Sequence, residues 1–195
     1  MIVDRRTLIL AGAAGLLAGC ATPDPGLNFP LLSFADRRPI GLRVGQFQIV
    51  DEVRPPLAAP NVEHLAPVAP AAAAERWARD VLLARGGEGR AILAIREGSI
   101  VETALKKTGG LKGLVTIDQA ERYDARIAAR LDILDGANRR VGEARAEATR
   151  FVTIAEDASP NDRQKLWYAL VRDTAADFAN AMEASILREL SPYVG

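Results

Sequence analysis

One cysteine, one histidine, a lysine cluster in a glycine-rich stretch and a ladder of alternating arginines and carboxylates are the residues here that could do chemistry. Cys20 closes the run Leu17-Ala18-Gly19-Cys20. A lone thiol rules out an internal disulfide framework and a cysteine-based zinc site, and a lone histidine rules out a multi-histidine metal site. His64, in Asn61-Val62-Glu63-His64-Leu65, would have to be the base of any Ser–His hydrolase. No Gly-x-Ser-x-Gly elbow accompanies it, so a loop histidine making a hydrogen bond is the expectation. Gly86-Gly87-Glu88-Gly89 and Gly109-Gly110-Leu111-Lys112-Gly113 lack the Gly-x₄-Gly-Lys-Ser/Thr of a phosphate loop and read as a helix stop and a loop. Lys106, Lys107 and Lys112 form a candidate anionic-ligand loop, suited to lipid or lipopolysaccharide phosphate, although a merely solvated loop has the same composition. The acidic residues are interleaved with arginine and form no acid–base pair of the raised-pKa kind. The chain therefore reads as no enzyme, with no metal site and no dissociable cofactor.

Charge excludes a further class. The 195 residues carry 25 Lys+Arg against 25 Asp+Glu, and this balance leaves no electrostatic footprint for nucleic acid. The hydrophobic fraction of 49% is inflated by alanine, since aromatics make up only 5%.

Residues 1–20, MIVDRRTLILAGAAGLLAGC, place a charged start before an apolar run from Leu8 to Ala18. That run is shorter than the roughly 20 residues a bilayer span needs and fits the h-region of a secretory signal. Its end resembles the lipobox of bacterial lipoprotein signal peptides. The resemblance implies removal of residues 1–19, diacylglycerol on the Cys20 thiol and an acyl chain on its new amine. It leaves a mature chain of 176 residues from Cys20 to Gly195, of a size for one domain with a real core. Two or more chains hold a protein on a membrane stably, whereas one binds only marginally. Ala21, where an aspartate marks inner-membrane retention, implies the periplasmic side of the outer membrane. Asp4-Arg5-Arg6-Thr7-Leu8-Ile9 also resembles a twin-arginine signal. An ordinary positive start containing two arginines is the competing reading, and replacing both by lysine separates the two.

The elements that position these residues follow from pattern. Nine of eleven prolines lie between Pro23 and Pro70. Residues 20–39 read as the lipidated cysteine and a flexible or extended tether, and residues 40–195 as a single periplasmic domain. Residues 40–50 predict a strand with a bulge near Gly45. The five prolines of residues 55–70 predict an extended crossing segment. A helix is expected over 70–84, begun by Pro70 and stopped by Gly86 and Gly87. Residues 91–105 predict a strand. Tyr123, Ala125, Ile127, Ala129, Leu131 and Ile133 alternate with Arg122, Asp124, Arg126, Ala128, Arg130 and Asp132, the clearest period of two in the chain. After a turn at 135–138, residues 141–154 alternate again, with Gly142, Ala144, Ala146 and Ala148 leaving room for a helix. Ser159-Pro160-Asn161-Asp162 opens a long helix with an N-cap, and Ser191-Pro192 closes it. Its length predicts that one end projects or meets a partner. Trp77, Trp167 and Phe178 are expected in the core.

The order β-α-β-β-β-α predicts an α+β two-layer sandwich, four mainly antiparallel strands with both helices on one face. The other face would carry Arg122, Asp124, Arg126, Arg130, Asp132, Glu143, Arg145 and Glu147. Over about residues 40–191 this order is similar to the lipopolysaccharide-assembly lipoprotein that plugs and supports an outer-membrane barrel. It is also similar to the auxiliary lipoprotein of ABC-type lipid transport systems. No shared residue motif carries over except Cys20, and the proline-rich 55–70 departs from both. The resemblance implies a membrane-anchored accessory or assembly subunit with an envelope protein partner. The alternative is a lipid- or lipopolysaccharide-binding carrier, whose cleft would need the two helices to splay.

Overall fold

The computed structural model describes residues 27–105 and 119–195. Cys20, Lys106, Lys107 and Lys112 lie outside the described residues. In chain order the elements are β1 (Ile40–Leu42), β2 (Gln46–Asp51), α1 (Pro70–Val81), β3 (Leu82–Ala84), β4 (Arg90–Ala104), β5 (Gln119–Leu134), β6 (Arg140–Ala155) and α2 (Pro160–Glu189). The architecture is α+β. A four-stranded sheet ordered β2-β4-β5-β6 carries both helices on one face.

Period two sets the sheet. In β5 every inward residue from Tyr123 to Ile133 is buried, and Ala144 and Ala148 of β6 sit opposite Leu131 and Ile127. β4–β5 and β5–β6 are antiparallel, while β2–β4 is parallel because the chain crosses back through α1. The β4 register shifts between Ile95 and Glu97, so the inward set passes from Ala91, Leu93 and Ile95 to Gly98 and Ile100. The β5–β6 turn is closed by Asp135, whose carboxylate accepts from the amides of Ala137 and Arg139, both at 2.9 Å.

Two expectations are corrected. Residues 40–50 are not one bulged strand. The chain changes sheet at residues 43–45: β1 pairs in parallel with β3 in a separate two-stranded sheet, and β2 pairs with β4. The first helix ends at Val81 rather than Ala84, because Leu82–Ala84 is drawn out to pair with Ile40–Leu42. Gly86 (φ 91°) and Gly87 (φ 111°) accordingly turn the chain after β3 and do not cap the helix.

The helices are seated by missing side chains. A Cβ on Gly98 would lie 2.7 Å from the Ala71 Cβ, so glycine lets the first turn of α1 press onto β4. A Cβ on Gly142 would meet Leu190 at 2.7 Å, and the small residues of β6 receive α2 as expected. Trp77 meets Phe178 edge-on between the two helices at 5.4 Å, and Tyr123 meets Trp167 likewise between sheet and helix at 5.5 Å. Ser159 and Asp162 form a reciprocal capping box at the start of α2, the carboxylate accepting from the Ser159 amide and the hydroxyl from the Asp162 amide. α2 does not overhang the sheet at its C-terminal end. Ile186 and Leu190 are buried, and the Tyr193 hydroxyl donates to the Val141 carbonyl at 3.2 Å. Its 30 residues span about 45 Å, comparable to the 16-residue strands it covers.

Candidate functional site

Three surfaces were expected to carry function: the charged sheet face, the proline-rich segment and the end of the long helix. The first assembles as read. Register places Asp132 opposite Glu143, Arg130 opposite Arg145, Ala128 opposite Glu147 and Asp124 opposite Phe151. Like charges thus face each other directly, which alone would be unfavourable. Each is relieved by a neighbour. Arg130 pairs with Asp132 at 2.8 Å, Arg145 with Glu143 at 2.5 Å, and Arg140 reaches both Glu143 (2.8 Å) and Asp132 (3.5 Å). Arg126 pairs with Glu147 at 2.9 Å, and Arg122 pairs with Asp124 at 2.6 Å while lying 3.8 Å over the Phe151 ring. The hydrogen bond from Arg145 holds the Glu143 carboxyl below the usual carboxylate range.

The face therefore interleaves both signs in an ordered pattern, with an apolar mark at each end. Phe151 is 60% and Val141 43% exposed. At its middle Ala128 replaces a long side chain, leaving a shallow depression of about 510 Å³ bounded by Arg96, Arg130, Arg145 and Glu147. Such a surface has the directional polar groups for docking a partner and, with its arginines paired to carboxylates, no single-sign patch for gathering polyanions. No described element of the chain covers it.

The segment expected as a tether is corrected for its described part. Residues 27–39 form a strap across both helices. The Phe34 amide donates to Asp80 at 2.8 Å, and Arg76 donates to the Leu32 carbonyl at 3.2 Å. Arg37 donates to Asn180 (3.0 Å) and Glu183 (2.9 Å), and the same Glu183 oxygen accepts from the Trp77 indole at 3.0 Å. Phe29 stacks on Tyr168 at 5.0 Å, and the Tyr168 hydroxyl donates to Pro30. One carboxylate on α2 thus clasps α1 and the strap together. Nothing in the local pattern of residues 27–39 signals this, because its partners are 44 to 146 positions away.

A second network went unread. Glu121 accepts from Arg163 and, at 2.5 Å, from the Tyr123 hydroxyl. Burial pushes the Glu121 carboxyl up, but the hydrogen bonds and charge of Arg163 outweigh it and hold the group below its ordinary range. Burial, then the hydrogen bond to Glu121, pushes the Tyr123 hydroxyl well above its ordinary value. Glu63 is buried as well, accepting from the Ile100 amide at 3.2 Å. Each network closes on itself and ties elements together.

His64 is exposed in a short 3₁₀ turn of the proline-rich segment. That segment crosses beside β4, with the Val62 amide donating to Ile100 and the Glu102 amide to Pro60. Between helices and sheet the space is filled by fully buried side chains, Trp77, Tyr123, Phe178 and Met182 among them. Among the described residues no cluster of three metal-ligating side chains occurs, and no helix is long and apolar enough to cross a membrane.

No protein-family model and no curated protein matches the chain. Among solved structures it is similar to rare lipoprotein B from Shewanella oneidensis, at 10% identity and a TM-score of 0.40, covering 73% of this chain and 93% of that one. It is also similar to a minor lipoprotein from Acinetobacter baumannii, at 13% identity and a TM-score of 0.37, over 73% and 93%.

Proposed function

We propose that this chain is a periplasmic lipoprotein, held by diacylglycerol and an acyl chain on Cys20, that serves as a non-enzymatic accessory or assembly subunit of an envelope complex. Ala21 favours the outer membrane. The anchor reading rests on residues 1–20. The docking reading rests on one observation, the outer sheet face, where ion pairs run the length of two 16-residue strands with no covering layer among the described elements. A face patterned over that length, with exposed Phe151 and Val141 at its ends, fits a protein partner of complementary pattern better than a small ligand.

The test is in-cell photo-crosslinking of the full-length protein, with the photoreactive residue at Ala128 or Thr149 on the sheet face and at Leu187 on α2 as the control. Protein adducts from the sheet-face positions, absent from Leu187, are expected. Lipid adducts alone would replace the reading with the carrier alternative, and no adduct at either face position would remove it.

A further inference from the structure

The strap shows at which end of the domain the chain turns back toward Cys20. Residues 27–39 run antiparallel to α2. Arg37 lies beside Asn180 and Glu183, Phe29 beside Tyr168, and Leu27 borders a groove with Asn161 and Gln164. The chain therefore leads back toward Cys20 at the end of the molecule where α2 begins. Pro67 and Val68, just before α1, line the same groove, and Gln164 donates to the Leu65 carbonyl at 2.9 Å. This end carries exposed apolar side chains: Leu31 is 84% and Leu65 50% exposed. The groove beside them, about 500 Å³, is bordered by Phe29, Pro30, Leu31 and Val68. A solitary exposed leucine needs no explanation, whereas two flanking one apolar groove mark a contact surface.

The occupant follows from chain length. Six residues, 21–26, separate Cys20 from Leu27, and the seven Cα–Cα steps between the two reach at most about 25 Å. With lipid on Cys20, Leu27 and its groove are held within that distance of the bilayer. The far end, with Val141 and the β5–β6 turn, is a further length of α2 away, about 45 Å.

We propose that the end of the domain bearing Leu31, Leu65 and the groove between strap and α2 rests on the lipid bilayer, its apolar side chains entering the headgroup region. The inference rests on the lipidated-Cys20 reading. It adds an orientation: the long axis of the sheet stands away from the membrane, and the charged face is presented sideways to partners along its whole length. Interfacial apolar side chains of this kind add to a lipid anchor and restrict how the domain tumbles on it.

The experiment uses the full-length protein, expressed with its own leader, purified and reconstituted into phosphatidylethanolamine–phosphatidylglycerol vesicles. Because Cys20 is the only cysteine, and its thiol is consumed by lipid on this reading, single nitroxide labels can be placed through Leu31→Cys, Leu65→Cys and, at the far end, Val141→Cys. Flotation with the vesicles is read first, then the accessibility of each label to oxygen and to a water-soluble nickel chelate. The expected result is co-flotation, with labels at 31 and 65 several-fold richer in oxygen contact relative to nickel than the label at 141. Co-flotation with all three labels equally open to nickel would overturn the docking inference and leave the anchor standing. Labels at 31 and 65 shielded from both reagents would also overturn it, since a protein then covers the groove. Failure to float, with nitroxide taken up by Cys20 itself in the parent protein, would overturn the anchor reading instead.

Discussion

Glu121, Tyr123 and Arg163 show how single side chains join β5 to α2. Arg163 lies in the first turn of the helix, and Glu121 and Tyr123 lie near the start of the strand. Glu121 has a folded-state pKa below its ordinary value. Its stabilising contribution is therefore fully present above the unfolded carboxylate range and is lost as pH falls below about 4. Glu121→Gln is expected to lower stability by about 1–2 kcal/mol at neutral pH, with the difference from the parent shrinking on acidification. Urea unfolding between neutral and acid pH measures this, and a pH-independent difference would contradict it. Tyr123→Phe keeps the ring against Trp167 and removes the hydroxyl, which donates to Glu121 and accepts from Arg163, while leaving the Glu121–Arg163 pair, so a smaller loss, about 1 kcal/mol, is expected in the same measurement.

The elements depend on close approach. Gly98→Val would drive a side chain into the Ala71 backbone and lift α1 from β4. The expected destabilisation is about 1–3 kcal/mol, read as a lowered thermal midpoint. The strap depends on Arg37. Arg37→Ala removes the hydrogen bonds to Asn180 and Glu183 and leaves Glu183 only the Trp77 indole. Limited proteolysis is expected to cut residues 27–39 sooner in that variant while the 40–195 core survives. Equal cleavage rates would mean that the aromatic contacts of Phe29 and Phe34 suffice to hold the strap.

For the whole molecule the proposed role turns on the proposed lipid anchor at Cys20 and on the open sheet face. Cys20→Ser is expected to remove the lipid and with it the stable hold on the membrane, read as loss of the mature, lipid-carrying form from the membrane fraction. Exchanging the charges of the half-exposed pair by Arg126→Glu together with Glu147→Arg is expected to abolish sheet-face crosslinks with little change in thermal midpoint. Solvent-exposed ion pairs contribute little net stability but set which surface patterns can dock. A collapse of the thermal midpoint in that variant would assign the ladder to stability rather than to docking.

Much of this architecture was legible in the sequence because its signals are local. The alternation over Tyr123–Ile133, the small residues from Gly142 to Ala148 and the Ser159-Pro160-Asn161-Asp162 start each report the environment of their own few neighbours. They led directly to β5, β6, α2 and the face that pairs Arg126 with Glu147. The division of residues 40–50 between two sheets was not legible. Ile40–Leu42 and Gln46–Asp51 are both strand-like, and only the arrival of Leu82–Ala84 and Arg90–Ala104 decides which partner each takes.

The sequence by itself determined the α+β order and the charge neutrality and offered Cys20 as a candidate lipid site, because these depend on residue type and short spacing. Only the tertiary structure decided where the chain re-enters the domain. Arg37, Glu183 and Trp77 share one hydrogen-bonded clasp although they are separated by up to 146 positions. No local pattern encodes a contact of that separation, since its free energy exists only once both helices are in place. That clasp holds the strap and sets the end of the domain from which the chain leads back toward Cys20.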